Sequence, residues 1–303
     1  MLSSDLESFQ KHLLSSRKIL ALVGAGLSQS SGLPTFRGEG GIWRNYDAAE
    51  LATPEAFHND PSTVWQFYAH RRHMSLQAKP NPGHYALAEL ARRLPGRFLT
   101  LTQNVDGLSS RADHPPEALL KLHGDLFALK CTSFFCSYST EDNFADPLTP
   151  ALCITDNYNS AQLQRHRIPE DELPTCPQCK EGMLRPGVVW FGESLPFKVM
   201  NTADEFLEDE DVDLIIVVGT SGSVWPAAGY VERVALSGGK VAIFNMEIDH
   251  YQYGESEAET TDSEDSSNED AVIDGWAFKG NASEWLPKAL EPVIGRAFMK
   301  RRV

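Results

Sequence analysis

Leu214-Ile215-Ile216-Val217-Val218 is an unbroken run of five apolar residues that stops at Gly219. A strand with no polar side has no face to give to water, so it belongs inside a parallel sheet covered on both faces. Ile19 to Val23 repeats the pattern and runs into Gly24-Ala25-Gly26, which predicts a strand followed by a turn. Phe98 to Thr102 and Val241 to Phe244 read as two more strands. Helical segments lie between them. Leu6, Phe9, Leu13 and Leu14 recur at helical spacing and predict an amphipathic helix over 4–16. Asp60-Pro61 supplies a cap and a first-turn proline for a helix running to about Gln77. Further helices are predicted over 84–93 and from about Pro226 to Ser237. Strands alternating with helices imply a doubly wound α/β sheet.

With 303 residues the chain holds one large domain or two smaller ones. A chain of this length buries roughly 75% of its unfolded surface, enough for a core without disulfides. No apolar run approaches the ~18 residues of a membrane span. The net charge of -15 argues against tight non-specific binding to nucleic acid or anionic membranes. Eight of the acids, Glu255, Glu257, Glu259, Asp262, Glu264, Asp265, Glu269 and Asp270, fall between Tyr251 and Asp270, where there is no Lys or Arg. This low-complexity stretch reads as a disordered loop, either inert or attractive to basic substrates. Asp5 and Glu7 interrupt any secretory leader and argue against a mitochondrial presequence. An intracellular location is expected, with mitochondrion, cytoplasm and nucleus all open. Oligomeric state is not legible.

Five cysteines crowd one part of the chain. Cys131-x4-Cys136 and Cys176-x2-Cys179 have the spacing of a four-thiolate structural zinc site, the alternative being free thiols. Cys153 is left over and reads as a buried apolar thiol.

Other motifs sit at predicted strand ends, where ligands bind in open α/β sheets. Gly24, Ala25, Gly26 and Ser28 open a loop whose amides suit a pyrophosphate, although Gln29 stands where a third glycine is usual. A plain glycine turn is the competing reading. The loop continues through Thr35, Phe36 and Arg37, and the arginine suits a phosphate. Gln103, Asn104, Val105 and Asp106 follow one strand and suit a carboxamide and a ribose, or simply cap a turn. Gly219-Thr220-Ser221 and Asn245-Met246-Glu247 follow two others. His123 is flanked by Gly124, which gives the imidazole room, but spacing alone does not separate it from the other eight histidines. Tyr68 and Arg71 share a helix face with Val64; they form either a carboxylate reader or an ordinary exposed surface.

Taken together, these motifs resemble the sirtuins, the NAD-dependent protein lysine deacylases. The resemblance rests on GAGLSQSSGLPTFRG at 24–38, TQNVDGL at 102–108, HG at 123–124, the cysteine pairs, VVWFGE at 188–193, GTS at 219–221 and FNME at 244–247. FYAHRR at 67–72, LATPEAFHNDPSTVW at 51–65 and the small Ala48 resemble the branch that removes succinyl, malonyl and glutaryl groups. The resemblance implies a Rossmann-like doubly wound parallel sheet with a small inserted zinc-binding module and a helical module. The sheet domain would be discontinuous over 1–36, 90–126 and 186–303, with the helical module at 37–89, the zinc module at 127–185 and the acidic loop at 251–270. It implies NAD as co-substrate and structural zinc on Cys131, Cys136, Cys176 and Cys179. His123 would be the general base, with Asn104 and Asp106 at the nicotinamide and its ribose and Gln103 on the ribose. The NAD loop, 24–43, would include Trp43. Ser221, Asn245, Met246, Glu247 and Ala282 would border the adenosine. Val189, Trp190, Phe191, Gly192 and Glu193 would pair with a substrate peptide as an added strand. Tyr68 and Arg71 would read the acyl carboxylate, in a pocket widened by Ala48. The implied products are nicotinamide, free lysine and 2′-O-acyl-ADP-ribose. A plain deacetylase, a protein ADP-ribosyltransferase and a non-catalytic NAD- or acyl-lysine-binding scaffold are the alternatives.

Overall fold

The computed structural model describes residues 2–35, 42–43, 46–154, 167–222, 224–248 and 274–296. Phe36, Arg37 and the acidic stretch 251–270 lie outside the described residues. The strands are β1 Ile19–Val23, β2 Ile42–Trp43, β3 Tyr46–Asp47, β4 Phe98–Thr102, β5 Leu119–Lys121, β6 Gly124–Cys131, β7 Ser139–Thr140, β8 Leu184–Val188, β9 Leu214–Val218, β10 Lys240–Asn245 and β11 Gly275–Lys279. Six of them form a parallel sheet in the order β11-β10-β9-β1-β4-β5. The chain winds outward from β1 to β4 and β5, then returns to the other side of β1 for β9, β10 and β11. The order therefore reverses between β1 and β9, and the crevice at a reversal is where such sheets take ligands.

The apolar runs behave as two-sided strands. Ile19, Ala21 and Val23 join a core under the helices Leu6–Ser15, Pro82–Arg93 and Ala282–Ile294. Leu20 and Leu22 join the opposite core with Tyr230, Val231 and Val234 of the helix Gly229–Leu236. Ala203 of the helix Phe197–Asp209 packs there too. All five side chains of β1 are fully buried, each larger one contributing roughly 1.5–3 kcal/mol. The N-terminal helix is shorter than its periodicity suggested. Asp5 caps it by accepting from the Glu7 and Ser8 amides, and Phe9 and Leu13 point inward. Leu14 lies a step round the helix from that face and is 61% exposed, so it is not a core residue.

A second core joins the helices Ala48–Leu51, Pro54–Asn59 and Pro61–Gln77 to the small sheet β7-β6-β8. The longest of these helices is capped by Asp60, which accepts from the Thr63 amide. It buries Val64, Trp65, Phe67, Tyr68, Ala69 and Arg72, far more than one face. Arg72 bridges to the small sheet, donating to the carbonyls of Leu126 (2.5 Å), Asn143 (2.6 Å) and Ala145 (3.0 Å). Because β6 begins at Gly124 and β8 ends at Val188, the small sheet reaches a few residues beyond 127–185 on each side. No helix among the described residues is long and apolar enough to cross a membrane.

Candidate active site

The loops after β1 and β9 touch backbone to backbone. A Cβ on Gly26 would lie 2.7 Å from the Gly219 Cα, and one on Gly24 would lie 2.7 Å from the Gly219 carbonyl oxygen. Gly219 itself has φ +56°. Glycine is thus needed here for the close approach of two loops, and residues of these loops line two cavities. A large one, of about 660 Å³, is lined by Ala25, Ser28, Gln103, Asn104, Val105, Asp106 and His123, among others. A smaller one, of about 280 Å³, is lined by Gly26, Gln29, Ser30, Gly219, Phe244, Asn245, Met246, Gly280, Asn281 and Ala282. Ser221 and Glu247 are exposed next to this smaller pocket, outside its lining. Thr35 is half-buried, and Trp43 meets the Phe67 ring edge-on at 5.5 Å.

A buried hydrogen-bond chain fixes the polar wall. Ser28 Oγ donates to Asp106 Oδ2 at 2.6 Å, and the Leu108 amide donates to Asp106 Oδ1 at 2.8 Å. Burial raises the Asp106 pKa above the ordinary value, and these two donors oppose that rise. Asn104 Nδ2 donates to the Gly24 carbonyl (2.9 Å) and to Ser28 Oγ (3.3 Å), which turns Oδ1 away from those partners. Sequence reasoning passed over His84, which lies 3.4 Å from the same hydroxyl. Its Nδ1 accepts from the Asn81 amide, so Nε2 carries the hydrogen and faces Ser28. Burial lowers its pKa to about 3, so it stays neutral. The only local signal was the Asn81-Pro82 cap, which places His84 in the first helical turn.

His123 sits in the turn between β5 and β6. Its Nδ1 faces the Gln103 carbonyl at 3.1 Å. A carbonyl only accepts, so Nδ1 holds the hydrogen and Nε2 keeps a lone pair. Burial lowers its pKa, and the bond to Gln103 partly offsets this, so the ring is a free base at neutral pH. The reason for Gly124 differs from the expectation. It has φ +76°, and a Cβ there would meet the Gly187 carbonyl at 2.2 Å, so it serves the approach of β8, not room for imidazole.

Tyr68 and Arg71 line the same cavity. Tyr68 is buried, and its oxygen accepts from Trp190 Nε1 at 2.9 Å, leaving its own hydrogen to donate. Burial pushes the phenol pKa far up, so it stays protonated. Arg71 is half-buried, lies 5.1 Å from the Phe67 ring centre, and has its pKa lowered by burial to about 10. An exposed-surface reading of this pair is therefore wrong. So is the placement of Ala48, which is fully buried in the second core, where it follows the capping Asp47; Ala49 and Ala52 line the cavity instead.

The stretch 188–193 is not a strand throughout. β8 ends at Val188, and the chain turns at Phe191-Gly192. The Val189 amide donates to the His123 carbonyl (2.8 Å) and the Phe191 amide to the Ala52 carbonyl (2.9 Å). Trp190 is buried against Tyr68, and Glu193 pairs with Arg185 at 2.6 Å. All five residues 189–193 still line the cavity.

The sulfurs of Cys131, Cys136, Cys176 and Cys179 lie within 4.8 Å of one another, with two pairs at 3.7 Å. Tetrahedral zinc with Zn–S near 2.3 Å sets sulfurs about 3.8 Å apart, so the cluster fits a closed structural zinc site despite the x4 spacing. Cys153 is exposed, against expectation. It follows the short 3₁₀ turn Pro150–Leu152, whose Leu152 takes the buried position. The larger site also fits NAD. Gln103 Oε1 accepts from Thr220, but its Nε2 is buried with no hydrogen-bond partner, a donor suited to a ribose hydroxyl.

Fold and site together define a dinucleotide-dependent enzyme with a structural four-cysteine module. The Sir2 family model matches residues 24–226. An NAD-dependent protein deacylase of Candida albicans is 49% identical, covering 97% of this chain and 99% of its own. The mitochondrial NAD-dependent protein deacylase sirtuin-5 of Canis lupus familiaris is 44% identical over 81% of this chain and 78% of its own. The crystal structure of a Sir2 homolog–NAD complex superposes with a TM-score of 0.74 at 35% identity, covering 98% and 97% of the two chains. The chain belongs to the Sir2 family.

Proposed function

We propose that this chain removes acidic acyl groups (succinyl, malonyl and glutaryl) from lysine side chains of proteins. More broadly, it is an NAD-dependent protein deacylase, the activity named for the relatives that align along most of its length. The acidic preference rests on one observation: Tyr68 and Arg71 line the same cavity as His123 and Asn104. A guanidinium beside a phenol O–H in an apolar channel is a bidentate carboxylate reader. Ala52, Leu126 and Met74 give the aliphatic part of the chain its apolar wall.

NAD, when bound, supplies the ribose that accepts the acyl group and the nicotinamide that leaves. Asn104, oriented by Gly24 and Ser28, holds the acyl-amide and nicotinamide end of the site in register. Asp106, kept as an acceptor by Ser28 and Leu108, anchors the loop that carries both. His123 Nε2 takes the proton of the attacking hydroxyl, and the Gln103 carbonyl steadies the imidazolium that results. Gln103 Nε2, Ala25 and Gly26 border the ribose and phosphates, while Asn245, Met246 and Ala282 border adenine. The modules divide this work. The parallel-sheet domain, with the helix Pro82–Arg93 in its core, holds the dinucleotide, the helices from Ala48 to Gln77 read the acyl group, and the small sheet braces the longest of them through Arg72. Zinc on four thiolates has no open position, so it contributes structure only.

The test is a turnover assay with NAD on twin peptides carrying acetyl-lysine or succinyl-lysine. The proposal expects strong preference for the succinyl twin. Preference for acetyl would remove the carboxylate-reader role and leave the NAD chemistry standing.

A further inference from the structure

The large cavity is lined, besides the acyl channel, by Leu195, Met200, Val224, Trp225 and Pro226, and by Phe191 on the 188–193 turn. Two of these walls are large aromatics left open: Trp225 is 67% exposed and Phe191 47%. Exposed aromatics at a cavity mouth mark a binding surface more often than chance exposure. Neither ring hangs from a loose loop. The turn of Trp225 is closed by Ala228 N donating to Val224 O (2.9 Å) and Gly229 N to Pro226 O (3.1 Å). The indole leans on Gly229, where a Cβ would meet it at 2.8 Å. The Phe191 backbone is tied to Ala52 by the bond already described. Two rings held in place lose little entropy when something covers them.

What covers them follows from where they stand. Resting on the deacylase reading above, an acyl-lysine in this cavity brings its neighbours in the substrate chain to the mouth. Consecutive Cα atoms are about 3.8 Å apart, so residues within two of the lysine stay within about 8 Å of it. Leu195, Met200, Val224, Trp225, Pro226 and Phe191 carry no charge. Glu193 is spent on Arg185, and no lysine lines the cavity among the described residues. We propose that Trp225 and Phe191 form an aromatic jaw that selects protein substrates carrying an apolar or aromatic side chain within two residues of the acyl-lysine.

The experiment uses the full-length protein with NAD and two succinyl-lysine peptides differing only in those flanking positions, Leu and Phe in one and Ser in the other. Nε-succinyl-lysine without flanking residues is the third substrate. The proposal expects the apolar-flanked peptide to have a kcat/KM about tenfold or more above its twin, the scale set by burying one apolar side chain. Trp225→Ser and Phe191→Ser should each shrink that ratio toward one. Equal turnover of the two peptides by the unaltered protein, or a ratio unmoved by both substitutions, overturns the jaw. If none of the three succinyl substrates is turned over, the acidic-acyl reading fails separately. The equilibrium affinities of the two peptides for the NAD-bound protein then decide the jaw, with equal affinities rejecting it.

Discussion

Replacing Arg71 with methionine keeps the length and apolar volume of the stem and removes the charge. Arg71 is the only permanent cation lining the large cavity among the described residues. A hydrogen bond to a charged group contributes about 1.5–3 kcal/mol, and a bidentate pair forms two. Arg71 is only half-buried, so solvent screening reduces that sum to about 2–3 kcal/mol. At 1.36 kcal/mol per tenfold, kcat/KM for a succinyl-lysine peptide should fall roughly 30- to 150-fold. The acetyl twin has no carboxylate to lose, so its rate should hold or rise. The assay is nicotinamide release from both peptides across substrate concentration. Burial lowers the Arg71 pKa only to about 10, so the guanidinium stays charged and the unaltered protein should keep its preference from pH 7 to 8.5. Equal losses on both peptides would refute the carboxylate-reader argument.

Other perturbations follow from the same geometry. His123→Ala should abolish turnover, by about 10²-fold or more, while leaving thermal unfolding nearly unchanged; substantial residual activity would remove its role as base. Tyr68→Phe should weaken succinyl turnover and also destabilise the fold by about 1–3 kcal/mol, because the buried Trp190 Nε1 loses its acceptor; denaturant midpoints measure this. Metal analysis should find about one zinc per chain, and Cys176→Ser or chelation should loosen the small sheet; a stable metal-free protein would contradict the site. His84 and His114 have pKa values depressed by burial to about 3 and about 4. The unfolded chain binds protons below 6.5 that the native chain refuses, so stability falls as pH drops through that value. Urea titrations at pH 7 and pH 5 should show each histidine costing about 2 kcal/mol, a loss that His114→Gln relieves in part.

Much of this molecule is legible in its sequence, and the reason is physical. A strand covered on both faces must be apolar at every position, so Leu214–Val218 announces itself, as do the glycines that let β1 and β9 end side by side. Cysteine pairs at 131/136 and 176/179 announce a metal because four thiolates at that spacing close a tetrahedral zinc shell. What stayed hidden depends on direction. Nothing local says that Ala48 turns into the core while Ala52 faces the cavity, or that Cys153 turns outward. Leu14 has the right residue type one step off the buried face. His84 was missed because its partner, Ser28, lies 56 residues away in sequence, and only the packing of the Pro82–Arg93 helix against the first loop brings them together.

The measurement closest to the central claim is a mass balance on one reaction. Full-length protein, NAD and a succinyl-lysine peptide are sampled over time by mass spectrometry. The account predicts that nicotinamide, free-lysine peptide and succinyl-ADP-ribose rise together in equal amounts. Nicotinamide rising with ADP-ribose attached to protein, or lysine freed without NAD, would contradict it.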